Sequence, residues 1–342
     1  MQTWGKRIAA LLLCAVIAAG ALAGCGSGGA DRKRIVRVAH VQAESHPEHI
    51  GLVAFKEYVE EKLGDKYEIQ IFPNELLGNA QKAIELTQTG AIDFTVAGTA
   101  NLETFADVYE IYSMPYLFAT EEAYHAAMED REYMKKVYAS TDAAGFEVVT
   151  WFDAGTRSFY ATEPIETPED MVGMKLRVQQ SPASIAMVNA MGAAASPMSF
   201  GEVYTAMQQG VVDGAENNEL ALTNNKHGEV AKYYCYDKHQ MIPDMLVANR
   251  RFYEGLPEEE RAVFEEAALI ATKVEREEWV KQIEEAKAYA RDVMGVNFYD
   301  PDQSLFREKV LPLHEQMLEK NPAIRDIYDH IQIFNEQYKE GN

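Results

Sequence analysis

The chain has 342 residues, and its 54 acidic against 32 basic side chains give a formal net charge of −22. That excess of negative charge disfavours nucleic acid and anionic membrane as partners, so an anionic small molecule would need a local positive pocket. Only three cysteines are present, at 14, 25 and 235.

Taken in order, Met1–Gly24 combines Lys6 and Arg7 with an apolar run from Ile8 to Ala21. It reads as a secretory signal, too short for a spanning helix. The following Leu22-Ala23-Gly24-Cys25 resembles the bacterial lipobox, which implies lipid modification of Cys25. Residues 25–32 then form a flexible tether. Gly24, Gly26 and Gly29 match G-x-G-x-x-G, but with no strand before and no helix after, a dinucleotide site is excluded. With Cys14 removed and Cys25 acylated, Cys235 has no disulfide partner and reads as a buried small hydrophobe.

Beyond the tether, Ile35–Val41 predicts a first strand, Ile50–Leu63 a helix with Leu52, Phe55 and Val59 on one face, and Lys66–Phe72 an alternating second strand. A helix ending at Thr89 leads into a third strand over 90–97. His46 and His49 are metal-type residues, but Pro47 keeps them off a common helical face, so a loop or helix-start role is expected. Phe146–Phe152 is a strand that runs into Asp153 and, past Gly155, Arg157.

Met174–Val178 is an apolar strand carrying Lys175 and Arg177, and a buried Arg177 would want an anion. After a helix containing Ile185 to Met191, Ser199 and Glu202 stand in capping-box spacing for a second helix stopping at Gly210. Val211-Val212 reads as a brief strand, with the polar cluster 213–218 at its carboxyl end, where open α/β sheets place ligands. Residues 87–93 and 207–213 share one pattern of helix end, Gly, short strand and Asp, suggesting two similar lobes. Met245–Asn249 is a further strand. From Pro257 to about Met294 no Gly or Pro interrupts a helix near 55 Å long at about 1.5 Å per residue, with two shorter helices closing the chain. No paired Cys, P-loop, H-E-x-x-H or G-x-S-x-G is present, although Asp153, Asp213 and Glu216 leave a hydrolase open.

Gly173-Met174-Lys175-Leu176-Arg177-Val178 and the run Ser196–Asn218 closely resemble the signature of solute-binding proteins of TRAP (tripartite ATP-independent periplasmic) transporters. The resemblance extends from residues 37–47 through 72–78 and Trp151–Tyr160 to the C-terminal helices. It implies an α/β, two-lobed periplasmic-binding-protein-like fold with a hinge, a central ligand cleft and a long helix spanning both lobes. Lobe I would comprise 33–153 plus about 244–282, and lobe II 154–243 plus about 283–342. The implied function is non-catalytic capture of an organic acid outside the cell membrane, with delivery to a membrane permease, by a lipid-anchored monomer that uses neither cofactor nor metal. Arg177 is implied as the carboxylate ligand, with Arg157, Asn217, Phe200 and His40 also at the site. Glu216, Asn218 and Gln179 would suit a polyhydroxylated ligand. The segments around Arg157, Arg177 and Asn217 look most like members binding sugar acids, hexuronates such as glucuronate or galacturonate, with C4-dicarboxylates as the alternative. Gly98 and Glu219-Leu220 depart from the family pattern.

Overall fold

A computed structural model describes residues 33–339; the leader, Cys25 and the tether lie outside the described residues. The chain opens with β1 (Arg34–Ala39), α1 (Pro47–Leu63), β2 (Tyr67–Phe72), α2 (Ala80–Thr89) and β3 (Phe94–Gly98), followed by α3 (Thr99–Leu102), α4 (Glu121–Glu129), α5 (Arg131–Ala139) and β4 (Phe146–Phe152). It then builds β5 (Arg157–Ala161), β6 (Lys175–Val178), α6 (Pro182–Ala190), β7 (Ala194–Pro197), α7 (Val203–Gln208), β8 (Gly214–Asn217), α8 (Leu220–Asn224) and β9 (Tyr233–Gln240). It returns through β10 (Asp244–Asn249), α9 (Arg250–Glu254) and α10 (Glu258–Asp292), and closes with β11 (Asn297–Tyr299), α11 (Gln303–Lys320) and α12 (Arg325–Gln337).

Two sheets result, ordered β2-β1-β3-β10-β4 and β11-β9-β5-β8-β6-β7. Each has a parallel pair, β1 with β3 and β6 with β8, flanked by an antiparallel strand that arrives from the other sheet's part of the sequence, β10 and β5 respectively. The two lobes therefore exchange a central strand, and the chain crosses between them at 153–156 and 241–243. Those crossings place residues from both lobes beside one another at the strand ends.

The repeated pattern is real in its hydrogen bonds, though the short strands fall later than the sequence suggests. Gly90 and Gly210 end their helices at φ 77° and 68°, the left-handed region that glycine reaches without a Cβ penalty. The next two amides, of Ala91 and Ile92 or of Val211 and Val212, bond back to Leu86 O or Ala206 O as helix caps, so they are not strand. The strands begin at Phe94 and Gly214 instead. Consequently the polar residues 214–217 are a central strand and not a loop beyond one.

His46 caps α1 by accepting from the Glu48 amide, with Pro47 in the first turn, where its missing N–H costs nothing. Helix α1 crosses α10 at Gly51, where a Cβ would sit 2.8 Å from Ala271 O, so only glycine permits that approach. Phe55, Phe94 and Phe264 form the aromatic centre of the first lobe, with Phe94 stacked on Phe264 at 5.9 Å.

The 35-residue α10 is unbroken, about 52 Å long at about 1.5 Å per residue. Its Phe264, Ala267, Ala268 and Ala271 belong to the first-lobe core, and its Ala290 to the second-lobe core, so it spans both. The last two helices divide differently from the sequence reading, which assigns all of 283–342 to the second lobe. Phe306 and Val310 pack with the second lobe, but Met317, Leu318, Ile327 and Ile331 join the first-lobe cluster containing Tyr124 and Phe146. Asn335 fixes that return by bonding Leu117 O and the Ala119 amide. Among the described residues no helix is long and apolar enough to cross a membrane.

Candidate functional site

Between the lobes lies a cleft of about 690 Å³, part of it open to solvent. Six of the eight ligand residues expected from sequence line it: Arg157, Arg177, Gln179, Phe200, Asn217 and Asn218. His40 and Glu216 stand behind the wall, at 2% and 0% exposure.

Arg177 occupies β6 and is buried, yet among the described residues it has no ion-pair partner. Its Nε and Nη2 donate to Met198 O at 3.2 and 2.9 Å, and the guanidinium lies 5.6 Å from the Phe200 ring centre. Phe200 is held edge-on to His227, whose Nδ1 pairs with Tyr160 Oη at 2.7 Å. Desolvation lowers the Arg177 pKa, with partial compensation from the charge of Glu216. A guanidinium so placed is a planar fork wanting a planar anion.

Arg157 is already committed. Its Nε meets Glu216 Oε2 at 2.5 Å, Nη1 donates to Asn217 Oδ1 at 2.8 Å, and Nη2 donates to Glu216 O at 2.8 Å. Behind Glu216, His239 Nε2 is 3.6 Å away and His239 Nδ1 is 2.7 Å from Asp237. Burial opposes charge on this ring, but the two carboxylates prevail and lift His239 to about 9. Burial alone would raise Glu216, yet Arg157 and His239 hold it down at about 2. The result is a fully buried, charge-balanced chain that stiffens Arg157. Asn218 Oδ1 accepts from the Leu220 amide just ahead of α8 and its Nδ2 donates to Ala154 O, so much of its capacity is structural. Asn217 keeps its amide nitrogen without a protein acceptor among the described residues.

The opposite wall comes from the first lobe and contains residues that sequence reasoning passes over: Glu48, Glu75, Asn101, Asp244 and, from α10, Trp279. Glu48 sits between His46 and His49, a stretch read from sequence only as a loop or helix start. Asp244 is one polar residue ahead of an apolar strand, and nothing local marks it. His40 Nδ1 lies 3.2 Å from Glu48 Oε1 and its Nε2 2.9 Å from His49, so it supports Glu48 from behind. Burial holds His40 and His46 near 3, hence neutral. Cys235 is buried in β9 with its thiol pKa raised by desolvation, away from the cleft. No group of three or more metal-type side chains is clustered among the described residues.

Two lobes with an exchanged central strand, flanking a cleft whose lining cations among the described residues, Arg157 and Arg177, both come from the second lobe, suit the capture of an anionic small molecule. The chain belongs to the bacterial extracellular solute-binding proteins of family 7, whose model matches residues 38–321. It is similar to a TRAP periplasmic solute-binding protein of Anaerococcus prevotii crystallised with D-glucuronate, at 54% identity, 90% of this chain, 99% of that one and a TM-score of 0.88. A Sulfitobacter protein of the same kind, with bound β-D-galacturonate, shares 31% identity over 87% of this chain and 99% of that one, with a TM-score of 0.84. The uncharacterized protein YiiZ of Salmonella typhimurium is 40% identical over 299 residues, 87% of this chain and 91% of its own. The protein is thus an extracytoplasmic TRAP solute-binding protein, and a transport component rather than an enzyme.

Proposed function

We propose that this protein binds a hexuronate, D-glucuronate or D-galacturonate, with the ligand carboxylate held by Arg177 and flanked by Arg157 and Asn217. The observation that carries this is the buried Arg177 guanidinium, which lines the cleft and has no counter-ion among the described residues. Phe200 packs against the guanidinium and fixes its plane. Gln179 and the Asn217 amide supply polar groups for ring hydroxyls, and a ligand lacking hydroxyls would leave them unpaired. Relatives crystallised with these sugar acids support the same reading.

Lobe closure accompanies capture, because Arg177 and Asn217 come from one lobe while Asp244 and Trp279 come from elements of the other and of the spanning helix. The mature chain is a monomer anchored by a lipid on Cys25, which keeps it near its permease. Replacing Cys25→Ser should release it from the membrane fraction.

Calorimetry against a panel of hexuronates, C4-dicarboxylates, keto acids and amino acids tests the ligand. A hexuronate should bind and raise the melting temperature by mass action. Binding of succinate or malate with no uronate response would overturn the hexuronate assignment.

A further inference from the structure

The rim of the cleft is bridged by a hydrogen bond between the lobes. Glu75, in the loop after β2, accepts through Oε1 from the Gly201 amide of the second lobe at 3.2 Å. Gly201 follows β7 and directly succeeds Phe200, whose ring packs on the Arg177 guanidinium.

Topology puts this contact at the edge of both sheets. The crossings join β4 to β5 and β9 to β10, whereas β2 and β7 are edge strands, each three places from the nearest of those strands in its own sheet. At about 4.8 Å per strand that is about 14 Å of leverage in each lobe, so a rotation of about 10° about the crossings parts the two groups by roughly 2.5 Å and breaks the bond. Arg157 on β5 and Arg177 on β6 lie nearer the crossings, so a ligand held by them sits behind the contact.

Both partners are shaped for it. Asn74 and Glu75 stand at φ 55° and 57°. Asparagine tolerates that left-handed region, but glutamate rarely enters it. The loop is held there by bonds from the Asn74 amide to Gln42 O at 2.9 Å, from the Glu75 amide to His40 O at 3.3 Å and from the Gly78 amide to Glu75 O at 2.8 Å. Backbone strain maintained by its surroundings marks a place where the side chain's direction matters. On the other side, a Cβ at Gly201 would lie 2.7 Å from Glu75 Oε2. The Gly201 backbone is not left-handed, so the glycine provides space for the carboxylate and not a special conformation.

We propose that Glu75 is a latch: its carboxylate ties the lobes together across the mouth of the cleft and so sets how slowly the captured ligand leaves. Release requires the lobes to part, so whatever favours the joined state appears in the dissociation rate more than in the association rate. Glu75 is half-buried and Gly201 exposed, which keeps the tie modest, as a latch that must open to deliver its cargo has to be. The inference rests on the hexuronate reading for the identity of that cargo.

The test is a double-mutant cycle on the mature chain with Glu75→Ala, Gly201→Ala and the two combined, with Glu75→Gln as a control that keeps an acceptor oxygen. Dissociation of D-glucuronate and D-galacturonate is followed by stopped-flow tryptophan fluorescence, since Trp279 lines the cleft, beside calorimetric affinities and thermal melts to establish folding. Each single alanine variant should speed dissociation about three- to tenfold, the range of one modest hydrogen bond, with association within twofold of wild type. Gly201→Ala is the telling variant, because its methyl displaces only the far end of the Glu75 side chain and Gly201 does not line the cleft. The combined variant should dissociate no faster than the faster single one, and Glu75→Gln should stay within twofold of wild type. Wild-type dissociation in folded Gly201→Ala, or effects that multiply in the combined variant, would overturn the latch and leave the hexuronate reading standing. Wild type that binds neither hexuronate would overturn that reading, and the same cycle would then judge the latch with whichever acid of the panel binds; a protein that binds no acid of the panel would overturn both.

Discussion

Arg157 and Glu216 are bound to each other before any ligand arrives: Nε and Oε2 stand 2.5 Å apart, with side chains 6% and 0% exposed. Removing one partner of such a pair strands the other charge in a desolvated place. Arg157→Ala should therefore destabilise the protein by about 3–5 kcal/mol, in addition to weakening the ligand. Urea denaturation without ligand measures this, and an unchanged midpoint would refute it.

Arg177 should behave in the opposite way. Among the described residues its hydrogen bonds go to one carbonyl, and burial disfavours its charge. Arg177→Ala should leave the ligand-free melting temperature within about 2 °C of wild type or raise it, while lowering hexuronate affinity ten- to several-hundredfold, as the loss of bonds to a charged group of about 1.5–3 kcal/mol each implies. Arg177→Lys should recover little, since a point charge cannot reproduce the two-pronged contact. Differential scanning fluorimetry beside calorimetry separates the two effects.

Asp93 and Asp213 carry the internal repeat. Asp93 Oδ2 accepts from the Arg37 amide at 2.9 Å and Asp213 Oδ2 from the Lys175 amide at 2.7 Å, while their own amides donate to Arg37 O and Lys175 O. Each ties the start of a parallel strand pair. Asp93 is 7% exposed and Asp213 more open, so Asp93→Ala should cost about 1–3 kcal/mol and Asp213→Ala less, read as chemical-denaturation midpoints.

That repeat was legible in sequence as a pattern of residue types, and so were the two lobes, the long helix and Arg177 as a buried cation in want of an anion. Its strand assignment misled, because Val211 and Val212 look like strand while their amides serve the cap of the preceding helix. The polar run Gly214–Asn217 does not look like a central strand. It is one because Arg157, 59 positions from Glu216, neutralises it, and no local pattern reveals that pairing. The acidic wall was hidden for the same reason: Glu48 and Asp244 become neighbours only when the chain returns through β10.

Glu103 joins the lobes, accepting from Ser113 on its own side and from Ser181 and the Ala183 amide on the other. Burial raises it from 4.5 to about 7, against the lowering effect of those bonds. The folded state thus holds a proton that the unfolded chain releases. Its contribution is fully present below about pH 4.5 and is lost as pH rises through about 7. Glu103 should cost on the order of 2 kcal/mol of stability between pH 5 and 8. Glu103→Gln, which mimics the protonated form, should flatten that part of the profile of melting temperature against pH; an unaltered slope would show that Glu103 ionises freely.

Gly155 connects the first crossing, the long helix and the cleft. It sits between β4 and β5 at φ +58°, and a Cβ there would lie 2.7 Å from Trp279 Cζ2. Trp279 lines the cleft and meets His46 edge-on at 5.8 Å. Alanine at 155 would adopt a disfavoured backbone conformation and press on an indole already packed from two sides. The strain should cost about 1–3 kcal/mol, which for a chain of this size lowers the melting temperature by several degrees, about 2–4 °C per kcal/mol. Because Trp279 must move to relieve the contact, hexuronate affinity should fall and tryptophan fluorescence should change in the same variant. Gly155→Ser should do at least as much. A Gly155→Ala protein with wild-type melting temperature, fluorescence and affinity would mean that this crossing yields freely, and that the indole is not fixed by it.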